Sequence, residues 1–292
     1  MSIAPATRAL VEPLPEDDQL EGTRRRRPSA WHFLLLPLSL VMLTPLLWML
    51  VTAVSTNAES RHFPPRLPHS IHWANFGDVW TTSPFGHWLL NTAIVSLVVV
   101  VSNLVLCSTA GYAFARLRFR GSGLVFILLL ATLMVPFQVV LIPTLLIVKS
   151  FGLIDRLGAL VVPNLVTAFG VFLMRQFFLA LPPDLEEAGR IDGASRFGVF
   201  RKILLPLMGP PLATLAILTF LEIWNDFLWP LVAIQSPQNM TMQLGLSTFE
   251  GAHMTDWPLL MAATLMSQLP VIVLFLAGQR VFVRSIASSG IK

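Results

Sequence analysis

Cysteine, tyrosine and charge are scarce in this sequence, with 1 Cys, 1 Tyr, and Asp, Glu, Lys and Arg together only 12% of 292 residues. A single thiol, Cys107, closes no internal disulfide and reads as a packing residue. No glycine is followed by lysine, so the GxxxxGK[ST] phosphate loop is missing and the chain has no nucleotide-hydrolysing site of that common kind. GxSxG, CxxC and HExxH are missing too, leaving no catalytic constellation, and no cofactor or metal site is assigned. His62, His69, His72 and His87 lie in one stretch of sequence, but they lack helical metal-binding spacing and any cysteine beside them. They read as loop-surface histidines rather than ligands.

Apolar residues fill the space that charge leaves. Hydrophobic residues make 54% of the chain and the mean hydropathy is +0.70, whereas soluble domains carry roughly 25% charged residues. A helix needs about 20 apolar residues at 1.5 Å each to cross roughly 30 Å of hydrocarbon. Six runs qualify, at about 31–54, 88–110, 124–143, 157–178, 208–233 and 259–282, which predicts an all-α polytopic membrane protein with six transmembrane helices. Pro163 and Gly170 fall inside the fourth run, and membrane helices tolerate both. Residues 1–30 hold prolines, acids and arginines but no apolar run, so they are expected to form a mobile tail. The first apolar run starts after residue 30 and is too long for a signal peptide, which makes it an uncleaved anchor. The membrane-embedded body is then 31–292, with a core at about 86–282.

Basic residues favour the cytoplasmic side of short loops. With the N-terminus inside, only Arg61, Arg66, Lys149 and Arg156 of the 20 lysines and arginines fall outside. The rest are cytoplasmic: the tail arginines, Arg116, Arg118 and Arg120, then Arg175, Arg190, Arg196, Arg201 and Lys202, and finally Arg280, Arg284 and Lys292. Both termini are therefore expected inside, and topology accounts for the net charge of +4 without a nucleic-acid partner.

The stretch 181–206, LPPDLEEAGRIDGASRFGVFRKILLP, interrupts the apolar runs on that inner side. Pro183 suits a first helical turn, Asp184, Glu186 and Glu187 complement the positive helix N-terminus, and Gly193 suits the stop. A second helix from about 194 to 204 places Phe197, Phe200, Ile203 and Leu204 on one face and is expected to end at Pro206. Such a face needs a cover, and lipid, the chain's own bundle or a partner protein could each supply it.

Glu187, Ala188, Gly189, then Gly193, then Ile203, Leu205 and Pro206 resemble the EAA signature of bacterial ABC importer permeases, with Gly189 standing where the second alanine is usual. GYAFARLRFRG at 111–121, VPFQVVLIP at 135–143, LEEAGRIDGAS at 185–195, WNDFLWPL at 224–231 and the terminal QRVFVRSIASSGIK resemble the carbohydrate branch, in particular the maltose-type second permease. The resemblance implies a type I importer transmembrane domain paired with a second homologous permease. It also implies a separate ABC ATPase dimer holding ATP and Mg, and an extracytoplasmic solute-binding protein docking on loops such as 235–257. By the same resemblance the loop couples to the ATPase through Glu186, Glu187, Ala188, Gly189, Asp192, Gly193, Phe197 and Phe200.

Glu222, Trp224, Asn225, Asp226 and Trp229 form a polar and aromatic group in an otherwise apolar run. Carboxylates within a membrane face a cavity or a partner, and indole faces with amide and carboxylate groups suit a sugar. Three readings stand: direct substrate contact, Asn225 and Asp226 capping a helix break before Pro230, or the same pair holding the partner permease. Asn91, Asn103, Gln138 and Asn164 read as amides bonding between helices, and Ser102, Ser108, Ala110, Gly111, Ala113 and Ala115 as small residues that let helices approach. The expected cargo is a sugar. The alternatives are glycerol-phosphate or another polyol, or ion-coupled secondary transport through Glu222 or Asp226.

Overall fold

The computed structural model describes residues 31–62, 67–251 and 254–289, so the tail at 1–30 lies outside the described residues. Regular structure among them is helical, and the extended pairing is a lone bridge between Glu250 and Thr255. The helices used below are α1 (Trp31–Ala53), α2 (Phe85–Arg116), α3 (Ser122–Thr132), α4 (Phe137–Ser150), α5 (Leu157–Val161), α6 (Ala168–Ala180), α7 (Asp184–Ile191), α8 (Arg196–Val199), α9 (Gly209–Trp224), α10 (Leu228–Ala233) and α11 (Trp257–Ser289).

Three helices, α1, α2 and α11, are long and apolar enough to cross a membrane unbroken; three bent pairs bring the count to as many as six among the described residues. The chain divides into two units, 1–46 and 47–292. The boundary falls within α1, which is apolar all round, and the hydroxyls of Ser39 and Thr44 donate to the carbonyls of Leu35 and Leu40 at 2.8 and 3.1 Å.

In the second unit α2 is the axis. Its 32 residues supply members of all three buried clusters: Phe85 and Trp88 at one end, Val95 and Val99 in the middle, Cys107 and Tyr112 at the other. The small residues expected along it do allow close approach. A Cβ on Gly111 would stand 2.7 Å from Met174 Cβ and 2.9 Å from the Arg175 nitrogen, so α6 lies against bare backbone there. The second run is longer than hydropathy suggests because the helix continues to Arg116, whose cationic side chain meets orphan carbonyls of a neighbouring helix.

Three expected spans are not single helices. The third splits into α3 and α4, bent by 103°, because Pro136 has no N–H and excludes its predecessor from the helical region. The fourth breaks between the 3-10 turn Val162–Asn164 and α6 with a 40° bend; Thr167 restarts the helix by accepting from the Gly170 N–H at 3.1 Å. The fifth ends at Trp224 and resumes at Leu228. The helix expected over 194–204 is likewise corrected. It is α8, then a π-helix Phe200–Leu204, then the short helix Leu205–Leu207 containing Pro206. Proline cannot extend the i to i−4 ladder, and the backbone widens so that the Leu205 N–H reaches the Phe200 carbonyl.

Candidate functional site

Every wall of the cavity beside Glu222 and Asp226 comes from a place where a helix starts, stops or breaks. Phe137 opens α4, Pro163 and Asn164 form the 3-10 turn, Glu222 and Ile223 end α9, Asp226 lies in the next break, and Trp229 opens α10. These enclose about 240 Å³. Irregular backbone at membrane depth is tolerated where it lines a cavity. The Asp226 carboxylate accepts from the Trp229 N–H at 3.3 Å, and Asn225 donates from Nδ2 to the Leu221 carbonyl at 2.7 Å, so the two side chains hold the broken ends. Asp226 therefore caps a break and lines the cavity at once, and the first two readings of the sequence are compatible for this residue.

The five expected pathway residues do not stay together. Glu222, Asp226 and Trp229 share the cavity. Trp229 is 2% exposed, its indole N–H donates to the Ala159 carbonyl at 3.0 Å, and Phe137 meets it edge-on at 6.0 Å. Trp224 is buried, stacks on Phe220 and donates to the Ser267 carbonyl of α11 at 3.2 Å, which makes it a strut between helices. Asn225 is exposed and accepts from Gln243 at 3.4 Å. The amides largely behave as bonding groups: Asn103 donates to the Asn164 carbonyl at 2.8 Å and accepts from the Thr167 hydroxyl at 2.9 Å, and Asn91 reaches the carbonyls of Gln238 and Met240. Gln138 is exposed instead. Among the described residues no group of three His, Cys, Asp or Glu gathers that could hold a metal ion.

The loop 181–206 is a compact helical hairpin. Its first helix, α7, carries Asp184, Glu186 and Glu187 in the first turn and ends with Gly193 at φ +80°. The Gly193 N–H bonds the Arg190 carbonyl at 3.1 Å and the Ala194 N–H bonds the Gly189 carbonyl at 2.9 Å, the paired closure that needs a left-handed residue. Ser195 then caps α8 by accepting from the Gly198 N–H at 3.1 Å. The helices meet at Gly189, where an added Cβ would stand 2.5 Å from Ile203 Cδ1. Glu187, Ala188 and Asp192 are exposed, Ile191 is 86% exposed and Phe197 64% exposed. Phe197 and Phe200 are neighbours on one face, with ring centroids 6.1 Å apart, yet Phe200 and Leu204 are buried while Phe197 is exposed, so the bundle covers only part of that apolar face.

Two residues escaped the sequence reading. Arg116 counted only as a topology charge, but its Nε lies 3.0 Å from Glu186 Oε1, and its Nη2 donates to the carbonyls of Phe178 and Leu181. Its place in the last turn of a long helix was the available signal. Asp155 carried no signal. At φ 60° its carboxylate accepts from the backbone N–H groups of Gln235 and Ser236 at 2.9 and 2.8 Å and from the Ser236 hydroxyl, bonds that hold its pKa down at about 2.

A sequence model described as "Binding-protein-dependent transport system inner membrane component" matches residues 107–288. The chain is 37% identical over 226 residues, 77% of this chain and 81% of the other, to the arabinooligosaccharides transport system permease protein AraQ of Halalkalibacterium halodurans. It is 35% identical over 290 residues to the probable ABC transporter permease protein YurM of Bacillus subtilis, covering 97% of this chain and 96% of the other. It is also 35% identical over 267 residues to the sn-glycerol-3-phosphate transport system permease protein UgpE of Pectobacterium atrosepticum, 88% and 95% of the two chains. Among solved structures, a chain of a bacterial ABC transporter involved in the import of the acidic polysaccharide alginate superposes with a TM-score of 0.75 at 25% identity, over 85% of this chain and 93% of that one.

Proposed function

This chain belongs to the family of binding-protein-dependent transport system inner membrane components, and from that premise we propose that it is the permease subunit of an ATP-driven importer carrying an uncharged sugar. The observation that carries the choice of cargo is the cavity lining. It offers two carboxylates, an amide, an indole and a phenyl ring, with no basic side chain among the described lining residues. Sugar hydroxyls can donate to Glu222 and Asp226 while ring C–H groups lie on Phe137, which the buried Trp229 backs. A phosphate would meet like charge and find no cation. The relatives named for arabinooligosaccharides and for sn-glycerol-3-phosphate represent these two cargo classes, and the lining favours the first.

In this reading residues 31–292 are the permease domain, both termini are cytoplasmic, and lipid of the bacterial inner membrane surrounds the apolar helices; the arginine distribution supports that orientation. A homologous permease completes the pathway, a solute-binding protein delivers sugar to the loop 235–257, and an ATPase dimer holding ATP and Mg²⁺ seats on the loop 181–206. The exposed Glu187, Ile191, Asp192 and Phe197 suit such a seat, since they join acidic and apolar groups on one small surface.

Copurifying the tagged chain with its native partners and reconstituting the complex in liposomes tests the reading. ATP-dependent uptake of a neutral oligosaccharide, reduced in Asp226→Asn, is the expected result. Uptake of glycerol-phosphate alone would overturn the choice of cargo, and uptake driven by an ion gradient without ATP would overturn the importer.

A further inference from the structure

The loop 181–206 is joined covalently to α6 and α9 and shares a buried cluster with them through Phe200 and Leu204, and it is held by α2 as well. Arg116 at the end of α2 lies 3.0 Å from Glu186 in the first turn of α7, and both side chains are largely buried, at 13% and 21% exposure. The two paired atoms, Arg116 Nε and Glu186 Oε1, have no hydrogen-bond partner besides this ion pair. One turn earlier Tyr112, the single tyrosine of the chain, approaches the Arg196 carbonyl with its hydroxyl at 3.4 Å, and its ring packs against Phe178 and Phe200. Thus α2 grips both halves of the hairpin, α7 through Arg116 and α8 through Tyr112. About 20 Å back along the same unbroken helix, at 1.5 Å per residue, Asn103 bonds the Asn164 carbonyl at the cavity wall.

We propose that Arg116 is the positioning residue that passes displacement of the hairpin to α2, and through the Asn103 bond to the wall of the cavity. An α-helix is stiff along its axis, and a guanidinium fork gripping two carbonyls and a carboxylate fixes direction as well as distance. A single ordinary hydrogen bond at that point would let the hairpin swivel. The proposal rests on the importer reading above and adds to it the route of transmission.

The test uses the whole reconstituted transporter and reads sugar molecules imported per ATP hydrolysed. ATP-driven uptake by the wild-type complex must be seen first; its absence would count against the importer reading and not against this route. Arg116→Gln is expected to lower the imported-per-hydrolysed ratio about fivefold or more, the low end of ordinary coupling between sites, with the ATPase still copurifying. Glu186→Gln, which leaves the two carbonyl bonds in place, should lower it in the same direction, and Glu186→Asp should restore most of it. If Arg116→Gln fails to fold, the Glu186 pair decides. An unchanged ratio, or uptake and hydrolysis falling in parallel, overturns the proposal.

Discussion

Asp155 shows how a single side chain can order an extended loop. It accepts from two consecutive backbone N–H groups and a hydroxyl, while Asn239 donates to its own carbonyl at 2.6 Å, so one residue gathers the chain after α10. Its carboxyl sits at about 2 against an ordinary value of 3.8. A depressed pKa means that the ionised form is favoured by folding. The stabilisation is therefore complete above the ordinary value and is lost as pH falls from about 4 towards 2. In detergent, the melting temperature of wild type should exceed that of Asp155→Asn at pH 7, and the gap should narrow below about pH 4 and close only near pH 2. A gap independent of pH would show that the bonds do not depend on the charge. Glu59, in a capping box with Thr56, is held at about 2 by the same kind of backbone donors, and Asp155→Asn leaves that contribution untouched.

Between helices, two glycines that look alike in sequence differ in what they face. At Gly111 an added methyl meets Met174 Cβ and the backbone of Arg175, neither of which can turn away, so Gly111→Ala should cost about 1–3 kcal/mol. At Gly189 the obstruction is the terminal methyl of Ile203 at 2.5 Å, with Val199 Cγ2 at 3.1 Å. Removing that methyl with Ile203→Val makes room, and Gly189→Ala on that background should raise the melting temperature, since alanine is favoured over glycine in a helix by about 1 kcal/mol. A fall in melting temperature for that double variant would mean that Val199 sets the limit. Unaltered stability in Gly111→Ala would mean that α2 and α6 can separate at no cost.

For the whole molecule, the separation of cavity and hairpin along α2 makes the exposed Glu187 the residue on which the proposed coupling can be tested. Glu187 faces outward and has no structural task of the kind Glu186 has. Glu187→Lys should therefore leave membrane insertion and yield unchanged and abolish ATP-driven uptake in reconstituted liposomes. Normal uptake would remove this residue from the coupling surface. The neighbouring exposed Ile191 and Phe197 explain why a folded monomer leaves such side chains uncovered: in the proposed assembly they meet the ATPase.

Much of this was legible along the chain. Apolar run lengths fixed the helical class, and the EAA pattern marked 181–206 because its helix stop, Gly193, is a local requirement written into a single residue. Of the breaks in the third to fifth spans only the one at Asn225 and Asp226 was among the readings; those beside Pro136 and Pro163 were passed over because hydropathy averages over such short interruptions. What sequence could not decide was which side chains share a space. Trp224 and Trp229 are five positions apart with the same chemistry, and a helix break turns one to the α11 backbone and the other to the cavity. Likewise Arg116 and Glu186 are distant in sequence and meet only because α2, α6 and α7 converge. Local hydrogen-bonding and hydrophobic rules act over a few residues and can be read in order, whereas ion pairing and cavity lining depend on distances that only the folded chain sets.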